Sequence, residues 1–302
     1  MTIPNDRSIT RRQAITLLGA LSATPWIARA ADAQSSQVTP APRLAPGAPS
    51  SSERMALIEA FKKRSGGIPD RFEARSYKSD WTMPYRLFKP AASGTLPLVI
   101  YLHGSGGLGD DNVKQMGLGN IFGTRVWAMP EYQKEFPCYV LAPQTDRGWV
   151  RYGEPAAGET QAPVVAGLGD GARVTLELIA ALRKELPIDE RRMYLTGQSM
   201  GGAGVWHMLA QRPGLFAAAA VCCGSASLDD PAASAATPVW NFHGDADATV
   251  PVAVSRARLA ARRKAGGHPV STEYAGVGHN AWEWAYTEPA LVRWMFGQKL
   301  ST

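Results

Sequence analysis

The stretch MYLTGQSMGG (193–202) decides the fold. An apolar run, Met193–Thr196, leads at once into GQSMG (197–201), and a segment with helical spacing follows. The pattern Gly-x-Ser-x-Gly between a strand and a helix is typical of a sharp turn that holds a serine hydroxyl clear of the backbone. Such a turn also places that hydroxyl at a helix N-terminus, where developing negative charge is favoured. The sequence therefore predicts Ser199 as a nucleophile at the end of a strand.

Strand and helix patterns alternate on both sides of this turn. Continuous apolar runs such as LPLVIYL (96–102) are typical of strands that are buried on both faces. Further strands are expected at 72–77, 84–88, 138–142, 217–222, 239–242 and 271–274, and helices at 53–64, 173–186, 200–211, 251–265 and 282–296. Repeated strand–helix units predict an α/β fold, with a mostly parallel sheet and helices on both faces. We expect one such domain over residues 51–302.

The first fifty residues have a different character. Arg11 and Arg12 precede an uncharged run over 14–28, which is shorter than the roughly twenty residues that span a bilayer. Two small-x-small sites follow, over 28–33. This order predicts a twin-arginine-type signal peptide over 1–33, with no stable membrane anchor, and a Pro/Ser/Ala-rich linker over 34–50. We therefore expect the twin-arginine export machinery as a partner and a periplasmic or secreted location.

Charge and cysteine content exclude some classes of protein. The formal net charge of +6 falls to +4 without residues 1–33, which carry four Arg and two Asp. The remaining basic residues cluster only over 256–264, at spacings that fit the exposed side of one helix, so we expect no nucleic-acid partner. Three cysteines cannot form a disulfide scaffold, and we expect Cys138, Cys222 and Cys223 to be reduced or buried. No metal-ligand spacing is present, and no metal is expected.

A nucleophilic serine needs a base and an acid that orients the base. For a serine on such a turn, the chain order is serine, acid, histidine. His207, His243, His268 and His279 follow Ser199. His279 lies in GVGHN (276–280), after the last expected strand and at its carboxyl end, so we predict it as the base. His207 lies on the helix just after the turn and is expected to be a packing or surface residue. His243 precedes both acid candidates, so its order in the chain is wrong, and His268 lies at the start of a strand, at the other edge of the sheet.

Two carboxylates compete for the role of the acid in HGDADATVP (243–251). Asp247 lies further round the loop, with room to turn back toward His279, and it is the favoured candidate. Asp245 lies nearer the strand end and could instead cap the loop, which is a common role of aspartate. Both residues remain candidates on the sequence alone.

An oxyanion hole needs two backbone N–H groups. One is expected from Met200, the residue after the nucleophile, and the other from HGSGG (103–107), the loop that follows LPLVIYL. Ser105 is the preferred donor and Gly106 the alternative, and His103 is expected to brace the loop by hydrogen bonding. The same loop contains Gly-x-Gly-x-x-Gly over 104–109, which could indicate dinucleotide binding. No helix signal follows at once and the next strand ends in Pro143-Gln144, so no cofactor is expected.

These residues resemble the α/β-hydrolase superfamily. The resemblance rests on five motifs in the same order along the chain: YLHGSGGLGDDN (101–112), CYVLAPQ (138–144), TGQSMGGAGVW (196–206), HGDADATVP (243–251) and GVGHNAW (276–282). More narrowly, the motifs are similar to those of secreted serine esterases: the phospholipase/carboxylesterase, feruloyl-esterase and polyhydroxyalkanoate-depolymerase groups and a group of predicted peptidases. The resemblance implies an α/β-hydrolase fold with Ser199, Asp247 and His279 as nucleophile, acid and base. Several relatives have Cys where this chain has Ser105, which weakens transfer of their substrates.

The expected function is that of a serine carboxylic-ester hydrolase acting through an acyl-enzyme intermediate. Only a short segment separates residue 223 from residue 239, where relatives often carry a lid, so no lid domain is expected. An open site suits small-molecule or polymer-linked esters with a short acyl or aryl group, including esters on carbohydrate. Candidate substrate-binding residues are Trp127, Trp149, Gln198 and Trp282, with Arg151 and Tyr152 beside Trp149. The alternatives are a serine peptidase of the same fold and a non-catalytic binding protein.

Overall fold

The computed structural model describes residues 51–152, 165–224 and 231–301. The predicted signal peptide (1–33) and linker (34–50) lie outside the described residues. The described chain begins with helix α1 (Ser51–Arg64) and runs through one large sheet flanked by helices.

The large sheet has eight strands: β1 (Phe72–Lys78), β2 (Thr82–Phe88), β3 (Leu96–Leu102), β4 (Tyr139–Pro143), β7 (Ile188–Gln198), β8 (Ala218–Cys222), β9 (Val239–Gly244) and β10 (Val270–Tyr274). The two strands between β4 and β7 in the chain form a separate pair. The spatial order in the large sheet is β1-β2-β4-β3-β7-β8-β9-β10. From β4 to β10 all neighbours are parallel, whereas β1 and β2 join antiparallel at one edge. The expectation of a mostly parallel sheet is therefore confirmed.

Helices cover both faces of the sheet, and each face has its own apolar core. They are α2 (Ile121–Arg125), α3 (Pro130–Glu135), α4 (Asp170–Glu185), α5 (Met200–Gln211), α6 (Val252–Lys264), α7 (Trp282–Ala285) and α8 (Pro289–Phe296), in addition to α1. In β3, Leu98 and Ile100 belong to the core that includes residues of α4 and α5, while Val99 and Tyr101 belong to the core that includes residues of α1, α2 and α8. Successive side chains of a strand point to opposite faces. This is why the whole of LPLVIYL is apolar.

Strand register brings the expected functional segments to one edge of the sheet. Leu102 at the end of β3 pairs with Gly197 of β7, and Gln198 pairs with Cys222 of β8. Tyr274 at the end of β10 pairs with Gly244 of β9. Because these strands are parallel, the loops that follow β3, β7, β8, β9 and β10 all emerge at this carboxyl edge, where α/β proteins carry their sites.

Some expected elements differ from those observed. The single helix expected over 282–296 is two helices, because Pro289 lacks a backbone N–H and starts α8 while the Glu288 side chain caps it. The loop over 144–168, in which the sequence predicts no strand, contains a short antiparallel pair, β5 (Val150–Tyr152) and β6 (Val165–Leu168). Residues 153–164 of that loop lie outside the described residues.

No helix in the described ranges combines the length and the apolar character needed to cross a membrane. Cys138, Cys222 and Cys223 are free and buried, as predicted. Burial raises the pKa of Cys138 and of Cys222 to about 12. All three thiols therefore remain protonated at neutral pH.

Candidate active site

Ser199 occupies the turn between β7 and α5 in a backbone conformation that few residues adopt. Its φ is 52° and its ψ is −120°. Such strain costs about 1–3 kcal/mol in a residue with a Cβ and is typical of functional sites. The Ser199 N–H donates to Cys222 O at 2.9 Å, which ties the turn to the neighbouring strand β8. The turn predicted from GQSMG is therefore present.

The start of α5 lies directly against the end of β3. A Cβ placed on Gly201 would collide with the carbonyl oxygen of Leu102. Glycine at this position lets the helix N-terminus approach the loop that follows β3. The first N–H groups of α5, beginning with Met200, have no acceptor within the helix.

Ser199, His279 and Asp247 form a continuous line of hydrogen bonds. Ser199 Oγ lies 2.8 Å from His279 Nε2, and His279 Nδ1 lies 2.7 Å from Asp247 Oδ2. A carboxylate can only accept, so Nδ1 carries the ring proton and Nε2 is left to accept from the serine hydroxyl. The His279 side chain is 21% exposed, whereas that of Asp247 is completely buried. The sequence-predicted trio is therefore brought together at the carboxyl edge, with its serine and histidine open to solvent.

The Asp247 carboxylate is stabilised in its charged form despite its burial. Burial by itself would raise the pKa of Asp247, but hydrogen bonds from His279 and from the backbone N–H groups of Val250 and Thr249 outweigh it and hold the pKa below its ordinary value. Those two N–H groups both lie 2.9 Å from Oδ1.

A second imidazole contacts Asp247, and it was not foreseen. His243 Nε2 lies 3.2 Å from Asp247 Oδ2 and 2.8 Å from Val250 O, while its Nδ1 lies 2.7 Å from Ser255 Oγ. His243 is fully buried at the end of β9. Its position at a strand end beside the acid candidates was the available signal for a supporting contact.

Asp245 does not cap its own loop, which was the other role considered for it; Asp247 Oδ1 makes that contact, through Thr249 N and Val250 N. The Asp245 side chain is exposed, and its Oδ1 accepts a 2.7 Å hydrogen bond from Gly276 N. It therefore joins the β9–α6 loop to the loop that carries His279. His207 is buried on α5, and His268 is exposed on the turn before β10.

The loop after β3 adjoins the turn that carries Ser199 and is held by His103. A Cβ on Gly104 would lie 3.5 Å from Gln198 O. His103 Nδ1 lies 2.8 Å from Gly104 O, and its Nε2 accepts from Thr145 N at 3.2 Å. Burial lowers the pKa of His103 to about 4, although its hydrogen bond to Gly104 O opposes the shift. His103 is therefore a neutral brace, as predicted, with its proton on Nδ1.

Two predicted substrate-binding tryptophans are core residues, and the substrate-binding role predicted for them is wrong. Trp127 and Trp149 are both fully buried. Trp127 Nε1 donates to Gly123 O at 2.8 Å, and Trp149 Nε1 donates to His103 O at 2.8 Å. Their chain positions in long connections suggested exposure, but both connections pack back onto the sheet. Arg151 is exposed, and the side chain of Tyr152 lies outside the described residues.

Gln198 is also not available to a substrate. It is 3% exposed, and both ends of its side-chain amide are engaged. Oε1 accepts from the Tyr101 hydroxyl at 2.8 Å, and Nε2 donates to Gly119 O at 3.3 Å. Burial of Gln198 inside the turn region therefore corrects its predicted role.

Trp282 is the one predicted substrate-binding residue placed beside the trio. Its ring stands edge-on to the His279 ring, with 5.3 Å between centroids. A Cβ on Gly119 would lie 3.1 Å from Trp282 Nε1, so the ring also covers that segment.

Cys223 adds a thiol to this region. Its Sγ donates to His279 O at 3.2 Å. Cys223 Sγ, an Asp247 oxygen and a His279 nitrogen lie within 4.8 Å of one another. The Asp247 and His279 atoms already hydrogen-bond to each other, and burial raises the pKa of the thiol well above its ordinary value. The arrangement therefore fits a hydrogen-bonded Asp247–His279 pair with a neutral thiol behind it.

Comparisons with known proteins found a matching family and similar structures. A sequence model for the family described as "Esterase: Putative esterase" matches residues 76–267. A bifunctional acetylxylan esterase/xylanase of Neocallimastix patriciarum is 35% identical over 71 residues, which is 24% of this chain and 11% of that protein. The crystal structure of a thermostable esterase is 34% identical with a TM-score of 0.70, and the match covers 77% of this chain and 64% of that one.

More distant structures share the fold. The ferulic acid esterase of Anaeromyces mucronatus is 14% identical with a TM-score of 0.53, over 74% of this chain and 91% of that chain. The matched part of this chain spans about a tenth of the Neocallimastix patriciarum protein and just under two thirds of the thermostable esterase. Because the family match covers more than half of the sequence, the chain belongs to the esterase family, and its fold is that of the α/β-hydrolases.

Proposed function

We propose that this chain is a serine carboxylic-ester hydrolase in which Ser199 is the nucleophile, His279 the base and Asp247 the acid. The observation that carries the proposal is the 2.8 Å approach of Ser199 Oγ to His279 Nε2 at a strained strand–helix turn. Nucleophile and base within hydrogen-bond reach, with the base held by a third group, are the signature of covalent catalysis.

The reaction has two halves. Ser199 Oγ attacks the ester carbonyl carbon while its proton passes to His279 Nε2, and the tetrahedral intermediate collapses as the leaving alcohol takes that proton. Water then attacks the acyl-enzyme, giving a proton to His279, and Ser199 Oγ recovers it as the carboxylic acid leaves. Asp247 keeps the His279 tautomer and stabilises the imidazolium that forms in each half. The net change is ester plus water to acid plus alcohol.

The developing oxyanion is proposed to lie against two backbone N–H groups. Met200 N–H is at the N-terminus of α5, where the helix dipole also favours negative charge. Ser105 N–H, with Gly106 as the alternative, begins a short 3₁₀ turn over Ser105–Gly107 beside the nucleophile turn. Neither N–H has a hydrogen-bond partner among the described residues.

The proposed substrate is a small or polymer-linked ester with a short acyl or aryl group, including esters on carbohydrate. A relative whose name includes acetylxylan esterase supports this class. The short connection between β8 and β9 supports an open site, and Trp282 beside His279 offers an apolar surface. Export through the twin-arginine route remains part of the proposal, on the strength of residues 1–33.

The test is hydrolysis of p-nitrophenyl acetate together with labelling by a fluorophosphonate. Ser199→Ala should abolish both turnover and label, and His279→Ala should lose most of the turnover. Ser76→Ala and His268→Ala are matched controls, because both residues are exposed. Ser76 lies on the edge strand β1, which β2, β4 and β3 separate from β7, and His268 lies on the turn before β10. Turnover and label that persist in Ser199→Ala would overturn the proposal. A feruloyl, acetyl and short-chain alkyl panel then identifies the acyl group.

A further inference from the structure

Three buried polar side chains meet beneath the nucleophile turn. The Tyr101 hydroxyl lies 3.0 Å from Asn120 Oδ1 and 2.8 Å from Gln198 Oε1. The three residues are exposed by no more than 3%. We refer to Tyr101, Asn120 and Gln198 as the Tyr101 cluster. Buried polar atoms are costly unless they are paired, so a cluster of this kind fixes the segments that carry it.

The hydrogen bonds around the cluster define the direction of each amide. Asn120 Oδ1 also accepts from Gly104 N at 3.0 Å, and Gln198 Nε2 donates to Gly119 O. Both amide oxygens therefore face the Tyr101 hydroxyl, which shares one proton between them. Burial raises the pKa of Tyr101 well above its ordinary value, so the hydroxyl keeps that proton.

The cluster joins three segments that the proposed reaction uses. Tyr101 lies near the end of β3, Gln198 immediately precedes Ser199, and Asn120 holds the loop after β3 through the Gly104 N–H. Gly119, which the cluster also holds, packs against the Trp282 ring beside His279. Displacement of the Tyr101 cluster would therefore move both the turn that carries Ser199 and the loop after β3.

Asn120 completes a clamp on the peptide unit between His103 and Gly104. The carbonyl of that unit accepts from Trp149 Nε1 at 2.8 Å, and its N–H donates to Asn120 Oδ1 at 3.0 Å. In the next peptide unit, Gly104 O lies 2.8 Å from His103 Nδ1 and accepts from Gly107 N at 2.9 Å. A peptide unit is planar and trans, so a fixed carbonyl directs its N–H to the opposite side. The Ser105 N–H belongs to the same peptide unit as Gly104 O, so the fixed Gly104 carbonyl sets the direction of this N–H.

We propose that Asn120 and Tyr101 are positioning residues for ester hydrolysis, which hold the loop after β3 so that its free N–H groups meet the oxyanion. This inference rests on the proposed function. Oxyanion-hole donors act because they are already oriented when charge develops. Neither residue touches the substrate; both act through the Gly104 peptide and the nucleophile turn.

The test compares each variant with one that loses a similar buried interaction elsewhere. Asn120→Ala is paired with Gln298→Ala, whose buried amide donates to Trp294 O at 3.0 Å. Tyr101→Phe is paired with Tyr194→Phe. Tyr194 lies on the neighbouring strand β7, and its buried hydroxyl donates to Gln298 O at 2.9 Å. Thermal unfolding checks that each pair is destabilised to a similar degree.

We expect Asn120→Ala to lower kcat by about ten- to hundredfold, with KM changed by less than about threefold, since a small misplacement of catalytic groups costs up to about a hundredfold. Tyr101→Phe should show a smaller loss of the same kind. Affinity for a trifluoromethyl ketone, which forms a tetrahedral oxyanion on the serine, should fall in parallel with kcat. The Gln298 and Tyr194 variants should keep both values near those of the wild type.

The experiments distinguish failure of the proposed function from failure of the positioning role. If Ser199→Ala retains turnover, the proposed function itself is wrong. If Ser199→Ala is inactive but Asn120→Ala and Tyr101→Phe match their controls in kcat and in ketone affinity, the proposed function stands and the positioning role is overturned.

Discussion

Asp247 and His279 are joined by a 2.7 Å hydrogen bond that links the loop after β9 to the loop after β10. The Asp247 side chain is wholly buried, and Oδ1 is held by two backbone N–H groups, so the carboxylate has one orientation. A carboxylate fixed in this way fixes the imidazole in turn, with Nε2 facing Ser199 Oγ.

The first prediction concerns which aspartate is the acid. Asp247→Asn should lower kcat for p-nitrophenyl acetate by about 10³–10⁴-fold, because an amide can stabilise the wrong tautomer of His279 and cannot stabilise its imidazolium. Asp245→Asn should have a much smaller effect, since Asp245 only accepts from Gly276 N. Comparable losses in the two variants would contradict the assignment.

The second prediction concerns acid stability. The folded-state pKa of Asp247 is below its ordinary value, so its charge stabilises the fold above about pH 4 and this stabilisation disappears as pH falls through the lower, folded value. Asp247→Asn should therefore be less stable than the wild type at pH 7, and the difference should shrink in more acidic solution. Chemical denaturation at several pH values measures it; a difference that does not change with pH would refute the prediction.

The third prediction concerns the effect of His103 protonation on the free energy of unfolding in acidic solution. The pKa falls from about 6.5 in the unfolded chain to about 4 in the folded one, so only the unfolded chain takes up a proton between these values. At 1.36 kcal/mol for each pH unit, the free energy of unfolding should fall by about 3 kcal/mol as pH drops from 7 to 4. His103→Gln should lack this component. Parallel stability curves for the two proteins would show that His103 does not titrate as described.

Much of the site could be predicted because its signals are local. GQSMG lies between an apolar strand and a helix, and parallel strands bring the loops with Asp247 and His279 to the same edge. No local signal distinguishes Asp247 from Asp245 as the acid, because the answer depends on how the loop after β9 turns. Only the structure places Asp247 against His279.

The residues that sequence reasoning missed depend on contacts between distant segments. Tyr101 meets Asn120 and Gln198 across separations of 19 and 97 residues. Its polar oxygen in a strand buried on both faces was a signal that a partner must exist, but not which one. Trp127 and Trp149 were misjudged for the related reason that a connection without a strong pattern can still pack into the core.

The fourth prediction tests the close approach of α5 to β3. Gly201→Ala should place a methyl group against Leu102 O, which is backbone and cannot move aside. We expect the variant to be destabilised by more than about 1 kcal/mol, as overpacking commonly costs 1–3 kcal/mol, and to lose activity. Gly67→Ala is the matched control, since nothing lies within 4 Å of a Cβ at that position. Equal stability of both variants would mean that the helix start has room to shift.

The last prediction concerns Leu118, an apolar side chain that is 78% exposed on a residue with φ 48°. A left-handed conformation costs a non-glycine residue about 1–2 kcal/mol. Because the Leu118 side chain is exposed, packing against other residues does not offset this cost. The next residue, Gly119, packs against Trp282 beside His279. Strained residues concentrate at functional sites, so we expect Leu118 to contact the substrate's apolar part.

Leu118→Gly should therefore keep or raise the unfolding temperature while KM rises for a naphthyl ester and changes little for a methyl ester. Val113→Ala removes apolar surface from a residue that is 57% exposed, has negative φ and lies close by in the chain, and should alter neither quantity. The comparison of kcat/KM for the two esters, in both variants and in the wild type, measures the effect. If Leu118→Gly leaves the ratio of kcat/KM for the naphthyl ester to that for the methyl ester unchanged, the exposed leucine does not bind substrate.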